Sequence, residues 1–214
     1  VWLNTYFADE YVEGQKTPPT CYAYGRTNEE MAPHPSMAVH PDTFIPQSVD
    51  CASCEWNKFG TARKGRGKAC GNRELLALMH AGDYLPRKGS RDFDLDLVDP
   101  TQPDGLKHYA DSDAFMLKLP VTSVRNWSDY VNKLAALQQP IFGVVTRVYL
   151  ERHQTNQYEV MFEMIEAIPD GDPYDVLAKR HEALGGETMM APFSPPLEDN
   201  ERERREGVKG LVRR

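Results

Sequence analysis

Four cysteines are the residues whose type and spacing point most directly to chemistry: Cys21, Cys51, Cys54 and Cys70, with 29, 2 and 15 residues between successive members. A two-residue gap lets one tight turn aim both thiolates at a single ion, and two distant cysteines complete a closed tetrahedron, so the set reads as a structural zinc site. A redox Cys-x-x-Cys is the main competitor. That motif normally opens a helix after a strand, whereas Cys51-Ala52-Ser53-Cys54 runs into Glu55-Trp56-Asn57-Lys58-Phe59-Gly60 and a loop of Gly, Lys and Arg. Unligated thiols are the third reading. His34 and His40 are alternative donors in place of one cysteine, but they lie in a loop with Pro33, Pro35, Pro41 and Pro46, where a solvated histidine is the simpler account.

The second cluster is ionic and aromatic. Between Cys51 and Cys70, Lys58, Arg63, Lys64, Arg66 and Lys68 face one acid, Glu55, and Arg73 follows just beyond. Trp56 and Phe59 lie within this stretch, and Tyr22 and Tyr24 flank Cys21. Cations for phosphates beside aromatic faces for bases are what sequence-independent binding of single strands requires. The competing account buries Trp56 and Phe59 in the core of a zinc knuckle and leaves the basic run merely solvated. Tyr22 and Tyr24 are open between the two, as are Tyr6, Phe7 and Tyr11 on a strand whose alternation allows either face.

The elements that position these groups are short. Residues 1–15 suggest a strand pair turning at Gly14, and residues 16–72 an irregular region too poor in periodicity to bury a core unless a metal staples it. Leu75–Met79, Phe115–Leu119, Val144–Leu150 and Tyr158–Ile165 read as strands, the last two as a hairpin. Asn126–Leu137 places apolar residues 127, 130, 131, 134 and 137 on one helical face, which puts Trp127 in the core. A second helix is expected over Asp175–Leu184, closed by Gly185-Gly186, and residues 83–113 as a long polar loop. Its acids, Asp92, Asp94, Asp96, Asp99 and Asp104, lack the spacing and closing Glu of a calcium loop. This pattern predicts a mainly β chain with α elaborations: an OB-type barrel domain over 1–170, carrying the zinc-stapled insertion 16–72, then a C-terminal helix and a flexible or exposed-helical charged tail over 171–214.

Composition narrows the function. The chain has 214 residues, 40% of them hydrophobic, enough for a core, and 27% charged. No apolar run approaches the roughly 18 residues of a membrane span, and the first residues carry no basic flank for a signal peptide. Because residue 1 is Val and Trp2 to Phe7 already reads as a strand, sequence upstream is expected. A net charge of -7 argues against general coating of duplex DNA.

The string from Cys51 to Thr61, followed by Gly65-Arg66-Gly67-Lys68-Ala69-Cys70, resembles a bacteriophage family of single-stranded-DNA-binding proteins. That family is similar in its Cys-x-x-Cys, its Asn-x-aromatic-Gly-Ser/Thr turn and its Gly-Lys-Gly-Lys-x-Cys loop. Pro18-Pro19-Thr20-Cys21, the stretch Leu119 to Val131, and Val144 to Val148 extend the resemblance over roughly residues 5–165. Tyr22-Ala23-Tyr24 stands where the family has Trp-Ser and an acid, and Arg66 replaces a Lys; neither change removes a thiol or a charge from the loop. The resemblance implies an OB fold with a Zn2+-bearing subdomain, single-stranded DNA as partner, phage replication or recombination proteins as further candidate partners, and a place in the cytoplasm of an infected bacterial host. It implies no catalysis.

Two other classes compete. A zinc-assisted nuclease built from His34, His40, Asp42, Asn57 and His80 lacks a His-Asn-His frame and paired carboxylates. A zinc-stapled adaptor or inhibitor of a host protein would show no salt-sensitive response to an oligonucleotide.

Overall fold

The computed structural model describes residues 1–10, 12–13, 17–27, 29–89, 93–154, 157–185 and 189–195. In chain order the elements are β1 (Trp2–Tyr6), β2 (Cys21–Gly25), β3 (Ala32–Pro33), β4 (Gly71–Met79), β5 (Gly82–Pro86), β6 (Phe93–Leu97), α1 (Pro103–Asp111), β7 (Ala114–Leu119), α2 (Val124–Ala136), β8 (Val144–His153), β9 (Gln157–Ala167) and α3 (Asp172–Leu184). The chain is mainly β. It divides into one unit of Val1–Trp2 with Asn72–Ala191 and another of Leu3–Gly71 with Pro192–Arg214.

The strands form one five-stranded sheet, in the order β3-β2-β1-β4-β7, and two separate pairs, β5-β6 and β8-β9. Among the described residues no barrel closes: the expected mainly β chain is present, and the closure of an OB-type barrel is not. The strands expected at Leu75–Met79, Phe115–Leu119, Val144–Leu150 and Tyr158–Ile165 are present, but the last two pair with each other rather than returning to the main sheet. Residues 83–113 are not one long loop. They supply the β5-β6 hairpin and α1, which starts at Pro103, a residue suited to a helix's first turn because its missing N–H has no partner there. Tyr109 of α1 is buried and donates its hydroxyl to the Val98 carbonyl at 3.0 Å.

In the unit that holds α2, Tyr130, Leu134 and Val144 make one core cluster, with Trp127 edge-on to Phe162 at 5.0 Å. The helical spacing of 127, 130 and 134 puts all three on one face, as expected from the sequence. The Tyr130 and Thr146 hydroxyls meet at 2.6 Å, so the tyrosine's polar tip is satisfied.

The other unit has its own small core of Tyr22, Met37 and Phe44. Phe193, from outside residues 16–72, packs against it. Of residues 1–15 only β1 is a strand in the described part; Tyr11 and Gly14 lie outside it, as do Gly186 and Glu198–Arg214. Among the described residues no helix is long and apolar enough to cross a membrane.

Candidate metal centre and nucleic-acid interface

Local backbone bonds bring the cysteine turn together. Asp50 accepts the Ser53 N–H at 2.6 Å, closing the Cys51–Ser53 turn, and these hydrogen bonds hold its carboxyl below the usual range. The Cys51 N–H donates to Met31 at 2.8 Å, which ties the turn to the end of the segment preceding β3. Asn57 donates its side-chain amide to the Cys51 carbonyl at 2.7 Å. The Cys70 N–H donates to the Trp56 carbonyl at 2.9 Å, which brings the fourth cysteine to the turn before it enters β4.

Cys21, Cys51, Cys54 and Cys70 all line one cavity of about 20 Å³, together with Asn4, Gln47 and Asn57. That is room for about one water-sized occupant. All four are free thiols, three of them buried, with no disulfide among them. Among the described residues no group of three or more His, Cys, Asp or Glu side chains is arranged to hold a metal ion. The four sulfurs share a cavity without forming a closed ligand cage.

The electrostatics follow from crowding. Burial, and after it the neighbouring cysteines, pushes the Cys70 thiol up to about 12 and raises Cys21 and Cys51. Hydrogen bonds from the Gln47 backbone to Cys21 and from the Asn4 side chain to Cys51 work the other way, favouring thiolate. Sulfurs that are destabilised as anions by each other, yet receive N–H donors, suit a cation placed among them, since a bound cation inverts the local charge balance and deprotonates coordinating thiols. The donor set therefore fits zinc. His34 and His40 do not line the cavity: His34 bonds the Ser36 hydroxyl at 2.7 Å and stacks on Tyr22, and His40 lies edge-on to Phe44.

The basic loop grows directly from this turn. Gly60 donates to the Gly67 carbonyl at 2.9 Å and Ala62 to the same oxygen at 3.1 Å, closing a tight loop over 60–67. Gly60 and Gly65 have φ of 91° and 79°, a region other residues enter only with strain. Thr61 pins the base, donating to Lys58 at 2.7 Å and accepting from the Ala69 N–H at 3.0 Å. Lys58, Lys64 and Arg66 are exposed. Arg63 is engaged instead, bonding the Ala8 carbonyl with Glu10 3.9 Å away. Lys68 donates to Asn57 at 3.2 Å, lies 5.3 Å from the Phe59 ring centre, and favours the Cys70 thiolate.

The chain has no match among protein-family models, curated proteins or solved structures. The aromatic residues must be read from their surroundings alone. Phe59 is 81% exposed, which overturns the account that buries it in the knuckle. Trp56 is half-buried, one face stacked on Tyr6 at 5.0 Å and its indole N–H donated to Gln47 at 3.1 Å. Tyr22 is corrected outright: at 1% exposure, ringed by His34, Phe44 and Phe193 and with its hydroxyl 2.6 Å from that of Ser36, it has no face for a base. Tyr24 is half-buried beside Phe193, and burial raises its hydroxyl to about 12. Arg73 lies on β4 in the other unit.

Tyr22→Phe is expected to cost about 0.5–1.5 kcal/mol of stability through the lost hydroxyl pair. Oligonucleotide affinity should not change. A denaturant melt and a binding titration of the same variant check both halves. The sequence named Thr61 as a motif member and Asn57 as a motif member and part of the nuclease alternative, and did not identify them as the clamps between turn and loop. Their place between the Cys-x-x-Cys and the glycine loop was the available signal.

Proposed function

We propose that this chain binds single-stranded DNA without sequence choice, with Zn2+ held by Cys21, Cys51, Cys54 and Cys70 as a purely structural cross-link. The observation that carries the reading is Phe59: a large apolar ring left 81% exposed beside Lys68, at the root of a glycine-closed loop that presents Lys64 and Arg66 to solvent. An exposed ring next to cations serves base stacking and phosphate neutralisation together. Lys58 adds a third exposed cation, while Arg63 shapes the loop through Ala8. Trp56 orders the platform from beneath, through its stack on Tyr6.

Zinc would supply rigidity and no reaction, since four thiolates leave no open position for a substrate. Four thiolates and one divalent cation carry a net charge of -2, and Lys68, which favours the Cys70 thiolate, offsets part of it. The likeness to phage single-stranded-DNA-binding proteins belongs to this same proposal, and with it phage replication or recombination partners and action in the host cytoplasm.

Titrating the protein with oligo-dT at two salt concentrations tests it through tryptophan fluorescence. A saturable change that weakens at higher salt, and far weaker binding to a duplex of equal length, is the expected result. Equal affinity for duplex and single strand, or no change at either salt, overturns it; the second outcome favours the protein-binding adaptor.

A further inference from the structure

Strand pairing places two uncompensated cations side by side in the unit that lacks the cysteines. On β4 and β7 the register sets Leu75 opposite Lys118, and Arg73, two residues before Leu75, points to the same face. Arg73 and Lys118 are therefore diagonal neighbours, about 7–8 Å apart at the backbone and well within reach of each other's long side chains. Neither has a hydrogen-bond or ion-pair partner among the described residues. The one acid on this stretch, Glu74, faces the opposite side of the sheet by strand alternation and is buried.

Like charges within reach of each other across a strand pair repel, whereas opposite charges there would attract. Here the repulsion is felt: Lys118 has its pKa lowered first by burial and then by Arg73. Next to the pair on the same face is Met116, opposite Ala77 and 48% exposed. β7 is an outer strand of the five-stranded sheet, so the site opens to one side.

We infer that Arg73 and Lys118 form a second anion site that takes phosphate groups, with the phosphodiester backbone of a single strand as its ligand and the Met116 side chain as an apolar floor beside it. Arginine presents a planar fork matched to phosphate oxygens and lysine a point charge, a pairing suited to a diester that carries one charge per unit. A bound phosphate removes the repulsion between the two cations, so occupancy is favoured by both. The inference rests on the proposed single-strand binding only for the identity of the polymer; the anion site itself is separable.

The test uses the full chain, an Arg73→Gln/Lys118→Gln variant and a Lys118→Arg control, each checked for an unchanged thermal melt. Oligo-dT affinity is measured against salt, and tripolyphosphate is titrated while the methionine methyl resonances are followed by NMR. With each cation neutralising one phosphate, the double variant should flatten the slope of log affinity against log salt by about 1.4, and Lys118→Arg, which keeps the charge, should retain the wild-type slope. Tripolyphosphate should saturably shift one methionine methyl in the wild type and not in the double variant. If oligo-dT binds with a slope that the double variant leaves unaltered, the site is overturned while single-strand binding stands. If oligo-dT does not bind but tripolyphosphate still shifts the methyl in a way the double variant abolishes, single-strand binding falls and the anion site stands. A methyl response that is absent, or identical in wild type and double variant, overturns the site.

Discussion

Cys70→Ser is expected to reduce zinc from one ion per chain to near zero and to unfold the segment around the cysteine turn. Structural zinc in small domains contributes on the order of 10–16 kcal/mol of apparent binding free energy at neutral pH. That is as large as the about 5–15 kcal/mol by which a whole domain is stable. The unit that carries the cysteines has a small cluster of Tyr22, Met37 and Phe44 among its described residues, and its two wholly internal strands, β2 and β3, are short. Loss of the cross-link is therefore not made up elsewhere. Metal analysis of the purified protein and its variant, with proteolysis to map the loosened segment, checks the prediction. Zinc near zero in the wild type, or undiminished zinc in Cys70→Ser, refutes the four-thiolate site.

The convergence of the cysteines was legible because it depends on local arithmetic. A Cys-x-x-Cys turn can aim only where two residues allow, and Cys70 follows the turn by a loop whose glycines close it through Gly60 and Gly67. The strands β1, β4, β7, β8 and β9 were legible for the same reason, since alternation or an apolar run is visible within five residues, whereas β2 and β3 fell in the stretch 16–72 that reads as irregular. Closure was not. Whether β8 and β9 return to the main sheet or pair alone depends on register between distant segments, which no short window contains. The hairpin β5-β6 was hidden by its charges: Asp94 and Asp96 alternate with Leu95 and Leu97 on a strand whose residues 94–96 are exposed, so the strand signal looked like a polar loop.

The aromatic residues show where sequence reading stops. Tyr22 and Phe59 sit in equally suggestive company, one beside Cys21 and the other between the cysteines, and the structure assigns them opposite roles. Tyr22 lies on β2 with its ring turned into the small core, and Ser36 completes its hydroxyl. Phe59 follows a short 3-10 turn and precedes Gly60, whose φ of 91° carries the chain away and leaves the ring in solvent. Nothing in either local sequence fixes which ring is inward, because the deciding partners, Phe44 and Phe193, come from elsewhere in the chain.

That difference separates two measurable effects on DNA binding. Replacing Lys64 and Arg66 together by Ala should flatten the slope of log affinity against log salt by about 1.4, since each neutralised phosphate of a single strand contributes roughly 0.7. Oligo-dT and oligo-dA should lose affinity by a similar factor, because phosphates carry no base identity. Phe59→Ala should lower affinity by about 1–3 kcal/mol, roughly 5- to 150-fold, with the salt slope nearly unchanged, because stacking releases few counterions. Arg63→Ala should fall between them: its guanidinium is tied to Ala8 and Glu10, so its loss loosens the loop and costs affinity with less than one phosphate's share of the slope. Salt-dependent titrations of all three variants, each with zinc content equal to wild type, decide the matter. An unaltered slope in the Lys64/Arg66 variant removes the loop from the phosphate track, and an unaltered affinity in Phe59→Ala removes the exposed ring from base stacking.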